Sequence, residues 1–286
     1  MIKLLAPAKI NLTLHVTGQR SDGLHLLDSL IVFTKIGDIL SFESANKTSL
    51  SVTGLEGLSI PAGQNNIILK TANLAGPGYQ REISLNKILP VSSGVGGGSA
   101  DAAATLRDMA HLGYNVPPKE IFNLGADVPA CLECLPLRVQ GVGDTFKIIP
   151  DWPKGGAIIL VNPRITLSTS KVFNALLRKD NKPMETKIPS FKNIKSLADF
   201  ISKNRNDLQN TSTKLEPEIL KVLISIKKTE GCLIARMSGS GATCFGLFET
   251  LREANDASSQ LKKDFPNWWI TPSALTVDQN NLKPIS

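Results

Sequence analysis

The chain contains, at positions 90–106, the stretch Pro90-Val-Ser-Ser-Gly-Val-Gly-Gly-Gly-Ser-Ala-Asp-Ala-Ala-Ala-Thr-Leu106. Four glycines in five positions exclude the interior of a strand or a helix, so the first half of this stretch is predicted to be a loop. The second half predicts a helix that runs towards Gly113, with Ser99 as its N-cap and Asp101 in its first turn. The pattern therefore predicts a glycine loop that leads into a helix N-terminus.

A glycine loop before a helix is suited to binding an anion. Backbone N–H groups converge there, the helix dipole favours negative charge, and the missing side chains let phosphates approach closely. The loop is not a Walker A motif, because no G-x-x-x-x-G-K-[ST] pattern occurs in the chain. It is not the dinucleotide fingerprint either, because Ser99 stands where the third glycine would be. A glycine-rich turn without a ligand is the alternative, and three successive glycines before a helix favour the phosphate site.

A second glycine loop, Met237-Ser-Gly-Ser-Gly-Ala-Thr243, joins two apolar strand patterns. By itself it is typical of a hairpin turn, since Ser-Gly pairs are ordinary turn residues. Together with the first loop it indicates a polyphosphate held between two domains.

The segment near the N-terminus predicts a strand, because apolar and polar residues alternate with a period of two. The apolar face belongs in a core, whereas the other face collects a cation, an amide, a hydroxyl and an imidazole. The two faces are Ile10, Leu12, Leu14 and Val16, and Lys9, Asn11, Thr13 and His15. Further strands are predicted at 30–33 and 39–42.

Two short polar segments are ambiguous by themselves. In Gly125-Ala-Asp-Val-Pro129 an acid stands between a glycine and a proline, which restricts its backbone. The segment Asp22-Gly-Leu-His25 has the composition of a polar turn. A surface turn or a helix cap is the simplest interpretation of each in isolation.

The net charge of +7 is concentrated in one part of the chain. Residues 178–228 contain 12 Lys and Arg against 6 Asp and Glu, whereas residues 1–177 contain 15 against 13. The basic stretch has only Phe191 and Phe200 as aromatic residues and lacks a glycine–aromatic motif for base stacking. We interpret it as a solvated helical surface; attraction of an anionic substrate is the second alternative and nucleic acid the third.

The composition, with 42% hydrophobic residues in 286, supports a buried core and excludes disorder as the main state. No apolar run approaches a membrane span, and the N-terminus lacks the features of a secretory signal, so we expect a soluble cytoplasmic protein without a membrane partner. The four cysteines do not form a disulfide framework, and Cys131 and Cys134 are a lone C-x-x-C pair. We predict buried, unreactive thiols, with redox or metal use as the alternative.

In their order along the chain, these motifs resemble the GHMP kinase superfamily. The resemblance extends from residue 6 to about residue 248, and the glycine loop alone would indicate only the superfamily. The opening A-P-A-K-I-N-L motif with the D-G-x-H turn points to members that phosphorylate a cytidine-diphosphate-linked methylerythritol. The motifs are Ala6-Pro-Ala-Lys-Ile-Asn-Leu12, Gly18-Gln-Arg-Ser-Asp-Gly-Leu-His25, residues 90–104, Gly125-Ala-Asp-Val-Pro129 and Ser238-Gly-Ser-Gly-Ala-Thr-Cys-Phe245.

The resemblance implies an α+β fold of two domains, with the active site between them. The first, at 1–154, is the mixed βα domain of GHMP kinases, and the second, at 155–286, is ferredoxin-like; the break at Pro150-Asp-Trp-Pro153 places the boundary. The implied reaction is ATP-dependent phosphorylation of the C2 hydroxyl of 4-diphosphocytidyl-2-C-methyl-D-erythritol, in non-mevalonate isoprenoid synthesis. The implied cofactors are ATP and Mg²⁺, the partner is this small molecule and not a nucleic acid, and the protein is a monomer or a weak homodimer.

The resemblance also implies a role for individual residues. Lys9 and Asp127 are the catalytic pair. From the residue chemistry, apart from the resemblance, we expect magnesium to bridge the phosphates, with water and the Ser99 hydroxyl completing its shell. The loop around the ATP phosphates comprises Pro90, Val91, Ser92, Ser93, Gly94, Val95, Gly96, Gly97, Gly98, Ser99 and Ala100. The substrate contacts are Asn11, His25, Thr169, Phe173, Gly239, Ser240 and Gly241.

One residue departs from the family pattern, and three other hypotheses remain. Leu24 stands where the family usually has tyrosine, so one face of an aromatic sandwich around cytosine is missing. Another GHMP kinase, acting on mevalonate or homoserine, would share the loops without needing His25. A non-catalytic nucleotide-binding relative would bind ATP without turnover, and a nucleic-acid-binding module would use the basic stretch.

Overall fold

The computed structural model describes residues 1–58, 60–275 and 282, and these form two β-sheets with helices packed on them. The first sheet has the order β4-β5-β3-β6-β7, and β1 and β2 also pair with β3. Its strands and helices are β1 (Ile2–Asn11), β2 (His15–Gln19), β3 (His25–Ser44), β4 (Ser49–Thr53), α1 (Ile67–Asn73), β5 (Arg81–Asn86), α2 (Gly97–His111), α3 (Pro118–Leu124), α4 (Val128–Glu133), β6 (Leu137–Gly141) and β7 (Thr145–Ile148).

The strands of this sheet differ from the prediction in two places. The two strands predicted at 30–33 and 39–42 are one strand, β3, because β1 pairs antiparallel along both halves, from Ile2 opposite Phe42 to Asn11 opposite Ile31. The single strand predicted at the N-terminus is two strands, because the backbone bends after Asn11. At the bend the N–H groups of Leu12 and Thr13 both point to the carbonyl oxygen of Leu30.

The start of α2 also corrects the prediction. The N-cap is Gly96 and not Ser99, because Gly96 takes a left-handed conformation (φ +67°) and Gly97 already begins the helix. Asp101 consequently lies beyond the first turn, where it forms a buried ion pair and does not face the helix dipole. The predicted end is confirmed: the helix stops at His111, and Gly113 follows with φ +85°.

The second sheet is antiparallel in the order β11-β8-β10-β9. The strands and the helices α8 and α9 follow each other as βαββαβ, which is the ferredoxin-like arrangement that was predicted. The elements of this half are β8 (Ala157–Asn162), α5 (Thr169–Asn174), α6 (Ile194–Lys203), α7 (Gln209–Leu215), α8 (Glu218–Lys227), β9 (Ile234–Met237), β10 (Cys244–Phe248), α9 (Leu251–Asp264) and β11 (Trp269–Ala274).

Apolar side chains form three clusters, and two of them contain residues of both sheets. Each fully buried large side chain stabilises the fold by about 1.5–3 kcal/mol. One of these two clusters therefore holds β1 in a fixed position against the second sheet. It includes Ile10, Val32, Ile158, Leu160 and Phe245. The division of the chain at residues 154 and 155 into two domains stays a prediction.

Two further observations concern membrane-spanning helices and the cysteines. Across 1–58 and 60–275, no helix is both long enough and apolar enough to cross a bilayer. No disulfide joins any of the four cysteines, all of which lie in the described part of the chain, and Cys131, Cys134 and Cys244 are buried. Burial raises the pKa of Cys134 to about 11, so this thiol is protonated and unreactive at neutral pH.

Candidate active site

A cleft of about 940 Å³ lies between the two glycine loops, β1 and α5. Its volume is near the upper end of ordinary small-molecule sites, which span about 300–1,000 Å³. The lining combines glycine backbone, hydroxyl groups, one open carboxylate and an apolar part that includes Leu27, Phe173 and Leu208. Such a cleft offers one end for charged groups and another for a ring.

Lys9 and Asp127 meet in this cleft although 118 residues separate them. The Lys9 Nζ atom donates to the Asp127 Oδ2 atom at 2.7 Å. Lys9 is held by β1 and only 7% of its side chain is exposed, whereas 44% of the Asp127 side chain is exposed. Asp127 is the N-cap residue of α4, but its side chain makes no capping hydrogen bond. The carboxylate is therefore oriented by the lysine and open towards the cleft.

The glycine loop lies directly on the backbone of Lys9. The Lys9 N–H donates to the carbonyl oxygen of Val95 at 2.9 Å, so the loop continues the hydrogen bonding of β1. A Cβ atom on Gly96 would approach the Lys9 Cβ atom to 3.2 Å. Because Gly96 also has a positive φ, a side chain there would be strained and would push the lysine.

The two glycine loops contact each other, and their predicted role in holding a polyphosphate stays a prediction. The Ser238 hydroxyl donates to the carbonyl oxygen of Gly94 at 2.9 Å, and the Thr243 N–H donates to that of Ser93 at 3.0 Å. A Cβ atom on Gly94 would lie 2.6 Å from the Ser238 carbonyl oxygen. Only glycine at position 94 permits this approach.

Most predicted loop residues line the cleft, but two do not. Val95 and Ala100 are fully buried, and their side chains belong to the cores under the loop. They support the backbone of the loop and do not face the cleft. The predicted loop residues that line it are Pro90, Val91, Ser92, Ser93, Gly94, Gly96, Gly97, Gly98 and Ser99.

Asn11 presents an unsatisfied acceptor in the cleft. Its Nδ2 atom donates to the Ser29 hydroxyl at 2.8 Å, while its Oδ1 atom is buried and has no partner among the described residues. A buried polar atom without a partner costs free energy, so this oxygen is suited to accept a hydrogen bond from a ligand. The sequence motif predicts Asn11 as a substrate contact. Ser29 could not be predicted from the sequence, because its contact with Asn11 depends on the pairing of β1 with β3.

His25 and Phe173 come together from the two halves of the chain. Their rings are stacked with centroids 4.5 Å apart and an interplanar angle of 28°. Phe173 lines the cleft, while His25 does not line it and lies behind the phenyl ring. Burial, and secondly the charge of Lys179, lowers the pKa of His25, which keeps the ring neutral at pH 7. Its Nε2 atom is buried without a partner among the described residues.

Of the four other predicted substrate residues, three line the cleft and one does not. The hydroxyls of Thr169 and Ser240 are 2.8 Å apart, and these two residues and Gly239 line the cleft. Gly241 does not line it, because its Cα faces the Met237 sulfur, 2.7 Å from where a Cβ atom would be. Leu24 is half exposed in the turn before His25.

A buried ionic cluster, which the sequence did not predict, lies under the glycine loop. Lys87 donates to Asp38 and, at 3.0 Å, to the Asp101 Oδ2 atom, and all three side chains are at most 4% exposed. A Cβ atom on Gly97 would be 3.0 Å from the Lys87 Nζ atom, so the helix start rests on this cluster. In the sequence, the cluster is indicated only by Lys87, which lies between the apolar residues Leu85 and Leu89. This pattern does not identify the two aspartates that pair with the lysine.

Residues that could hold a magnesium ion are few in the described part of the chain. No group of three or more His, Cys, Asp or Glu side chains is arranged to hold a metal there. The Ser99 hydroxyl lines the cleft next to Gly125 and makes no side-chain hydrogen bond to a described residue. Magnesium in phosphoryl-transfer sites is held largely by phosphate oxygens and water, with one or two protein ligands. This donor set fits a metal that enters with a nucleotide.

The family models match both halves of the chain. Residues 66–134 match the model for the GHMP kinases N terminal domain, and residues 184–267 match the model for GHMP kinases C terminal. Among solved structures, a 4-(cytidine 5'-diphospho)-2C-methyl-D-erythritol kinase superposes with a TM-score of 0.77 at 27% identity, covering 96% of this chain and all of that one. The homoserine kinase of Cytophaga hutchinsonii superposes with a TM-score of 0.66 at 18% identity, covering 99% and 97%, and shows the fold alone.

Curated relatives are similar over nearly the whole length. The 4-diphosphocytidyl-2-C-methyl-D-erythritol kinase of Roseobacter denitrificans is 43% identical, covering 99% of this chain and 97% of that protein. The kinase of the same name from Ruegeria pomeroyi is 46% identical, covering 94% and 97%. Similarity of this extent, on a chain that brings Lys9 and Asp127 together under a glycine loop, places it in the 4-diphosphocytidyl-2-C-methyl-D-erythritol kinase family of GHMP kinases.

Proposed function

We propose that this chain is a kinase that transfers the γ-phosphoryl group of ATP to the C2 hydroxyl of 4-diphosphocytidyl-2-C-methyl-D-erythritol. The observation that carries the proposal is the 2.7 Å contact between the Lys9 Nζ and Asp127 Oδ2 atoms in a cleft bordered by two glycine loops. The names of the relatives at 43–46% identity support the acceptor alcohol.

Asp127 accepts the proton of the C2 hydroxyl during transfer. The hydroxyl oxygen forms a bond to the γ-phosphorus, the bond from that phosphorus to the oxygen bridging the β-phosphate breaks, and ADP leaves. Lys9 orients the Asp127 carboxylate through the 2.7 Å contact and stabilises negative charge at the attacking oxygen. Since phosphoryl transfer depends mainly on positioning and charge stabilisation, the rigid support of Lys9 by β1 is part of the mechanism.

The phosphates of ATP are held by the glycine loop and the start of α2. The first N–H groups of a helix lack partners within the helix, and no side chain caps α2. These donors and the positive end of the helix dipole are therefore available to an anion. The contact between the two loops fixes the shape of this cradle.

Magnesium, when bound, neutralises the charge of the β- and γ-phosphates. We assign the Ser99 hydroxyl as its protein ligand, because it lines the cleft in the first turn of α2 and has no side-chain partner among the described residues. The protein's own contribution is to orient this hydroxyl beside the phosphate cradle.

The cytidine end lies at the apolar part of the cleft. Cytosine stacks on Phe173, and base stacking on an aromatic ring contributes about 1–3 kcal/mol. Asn11 presents an unpartnered Oδ1 atom in the cleft for a hydrogen bond to the substrate, while the His25 ring does not line the cleft and supports Phe173 by stacking on it. Specificity for a hydrogen-bonding substrate follows, because a ligand that lacks the matching donor leaves the Asn11 oxygen unpaired.

The decisive experiment measures ADP release with Mg-ATP for three acceptors in parallel: diphosphocytidyl-methylerythritol, mevalonate and homoserine. We expect turnover with the cytidyl substrate only. Turnover with mevalonate or homoserine would preserve the Lys9–Asp127 mechanism and remove the proposed substrate. Binding of ATP without turnover of any acceptor would contradict the kinase itself.

A second experiment isolates the cytidine end. Leu24→Tyr restores the aromatic residue of the family on a half-exposed side chain, so the fold has little to lose. We expect the KM for the cytidyl substrate to fall about fivefold or more, since stacking contributes at least about 1 kcal/mol. The matched control is Leu112→Tyr, on a leucine of similar exposure outside the cleft. An unchanged KM would show that cytosine does not lie beside position 24.

A further inference from the structure

A second cavity, of about 450 Å³, lies in the C-terminal half of the chain. The segment that follows α5, the turn between α6 and α7, α7 itself and one residue of β9 form its walls. It shares no lining residue with the catalytic cleft. The reaction described above does not use it.

The lining of this cavity is strongly basic. Four cations line it, and three of them belong to the basic stretch at 178–228 that the kinase mechanism leaves unexplained. Among the described residues of the lining there is one carboxylate, Asp207. The four cations are Arg178, Arg205, Lys214 and Arg236.

Asp207 neutralises the charge of one of these four cations and leaves the other three. Its Oδ1 atom accepts from the Arg205 Nε atom at 2.8 Å, and its Oδ2 atom accepts from the Val16 N–H at 2.8 Å. Arg178 pairs with Asp180, but both side chains are at least 70% exposed, so that pair is weak and screened by water. The carboxylate inside the cavity is thus fully occupied.

Arg236 is the innermost cation and has no acidic partner in the part of the chain that the structure describes. Its Nη1 atom donates to the carbonyl oxygens of Ile201 and Asn204, at 2.8 and 2.6 Å. Burial lowers its pKa to about 10, so the guanidinium stays charged at neutral pH. Lys214 also forms no ion pair with a described residue. A partly buried cation without a counter-charge is unfavourable, and an anion would relieve that cost.

We propose that this cavity binds a compact polyanion, namely a phosphate or diphosphate group, free or as part of a small ester. Guanidinium forks and a lysine bind phosphate oxygens by charge-assisted hydrogen bonds. A side-chain amide of the lining, that of Asn210, supplies a further polar contact beside the charges. The cavity has no aromatic residue in its described lining, so it lacks the stacking surface that a single-stranded nucleic acid requires.

The cavity and the catalytic cleft share a supporting residue. The Asn206 Nδ2 atom donates to the carbonyl oxygens of Met237 and Gly239, at 2.8 and 2.9 Å. Gly239 lines the catalytic cleft, whereas Asn206 lines the cavity. An anion in the cavity would therefore lie beside the residue that holds the second glycine loop.

The test is calorimetric titration of the full chain with inorganic pyrophosphate in magnesium-free buffer. The cavity variant is Arg178→Gln with Lys214→Gln, since both side chains are exposed and their loss leaves the fold intact. The matched control is Lys192→Gln with Lys228→Gln, which removes the same charge from exposed positions of the basic stretch outside the cavity. We expect the cavity variant to bind at least tenfold more weakly than the wild type, and the control to bind within twofold of it. Thermal unfolding of both variants verifies that each is folded.

Three results would overturn the proposal. The first is no binding by the wild type at millimolar pyrophosphate, or equal binding by the two variants. The second is complete displacement of pyrophosphate by a non-hydrolysable ATP analogue, which would place it in the catalytic cleft. The third is displacement by a single-stranded RNA with steep salt dependence, which would make the surface a nucleic-acid site. Arg236→Gln provides a second variant, and it should weaken binding at unchanged secondary structure.

Discussion

Lys9 and Lys87 both lie beside the glycine loop and both contact aspartate, but their surroundings differ. Lys9 has one carboxylate partner, Asp127, and 44% of that side chain is exposed in the cleft. Lys87 has two partners, Asp38 and Asp101, and both are buried. Asp38 also accepts hydrogen bonds from the N–H groups after Lys87, at 2.6 and 2.9 Å. The first group is open to a substrate, whereas the second is closed and supports the loop from below.

This difference shows that a contact between a lysine and an aspartate does not by itself identify a catalytic pair. An open carboxylate with one partner keeps oxygen lone pairs for a proton or a hydroxyl group. The closed cluster uses three of its four carboxylate oxygens on the protein, the Asp101 Oδ1 atom having no partner among the described residues. Removal of one member leaves an uncompensated charge in a low dielectric. The two lysines should therefore affect different measurable quantities: turnover for Lys9 and the free energy of unfolding for Lys87.

The largest effect is expected at the open pair. Asp127→Asn and Lys9→Met should each lower kcat by about 10²- to 10⁴-fold, the usual contribution of a positioned acid or base. ATP binding and the midpoint of thermal unfolding should change little, because Asp127 remains solvated. Steady-state kinetics and nucleotide titration check this. Loss of ATP binding in either variant would assign the residue to the phosphate cradle and not to catalysis.

The next effect is expected at the closed cluster. Lys87→Met leaves Asp38 and Asp101 buried without their cation, and should lower the free energy of unfolding by about 3–5 kcal/mol. Urea denaturation measures it, with Lys9→Met as the matched control, for which we expect a change of about 1 kcal/mol or less. If both substitutions destabilise equally, the distinction between an open and a closed pair is wrong.

A pH dependence should separate the groups further. Burial raises the pKa of Asp101 from 3.8 to about 7, although the charge of Lys87 opposes the shift. Between pH 4 and 7 the folded protein retains a proton that the unfolded chain releases, so the contribution of Asp101 to the free energy of unfolding falls as the pH rises through this window. Asp101→Asn removes that slope. Unfolding curves of the wild type and of Asp101→Asn, measured side by side at pH 4.5 and 7, would show this difference. Identical pH slopes of the free energy of unfolding in the two proteins would contradict it.

The smallest effects are expected at two adjacent glycines, each facing one lysine. Gly96→Ala places a methyl group against Lys9 at a positive φ, which costs about 1–2 kcal/mol and should lower kcat about tenfold. Gly97→Ala requires no positive φ and gains helix propensity of about 1 kcal/mol, which offsets part of the displacement of the Lys87 Nζ atom, 3.0 Å from the new methyl group. We therefore expect kcat within threefold of the wild type for Gly97→Ala. Equal losses of kcat in both variants would mean that the loop tolerates no side chain at all.

Several features of the fold and the site were predictable from the sequence. The glycine loop, the helix that follows it and the second loop are local patterns, because glycine density and helical periodicity act over a few residues. The pairing of Lys9 with Asp127 came from the resemblance of the motif order to a family, and the 2.7 Å contact agrees with it. Their chemical roles stay predictions until the variants are measured.

Other features could not be predicted, because they depend on distant backbone pairing. Ser99 satisfies the compositional rule for an N-cap, but the left-handed Gly96 starts the helix three residues earlier. The sequence places Val95 and Ala100 in the loop, yet packing turns both into the core. The stacking of His25 on Phe173 joins residues 148 positions apart, which no local pattern specifies.

The sequence by itself determined where the two glycine loops lie and which polar residue types stand near them along the chain. Glycine and proline limit the backbone through sterics that act within a few residues, so these elements are encoded locally. Only the tertiary structure decided which aspartate is open and which is closed. Exposure depends on strand register and on the cores that hold β1, β3 and α2 together, and these arise from contacts between residues far apart in the chain.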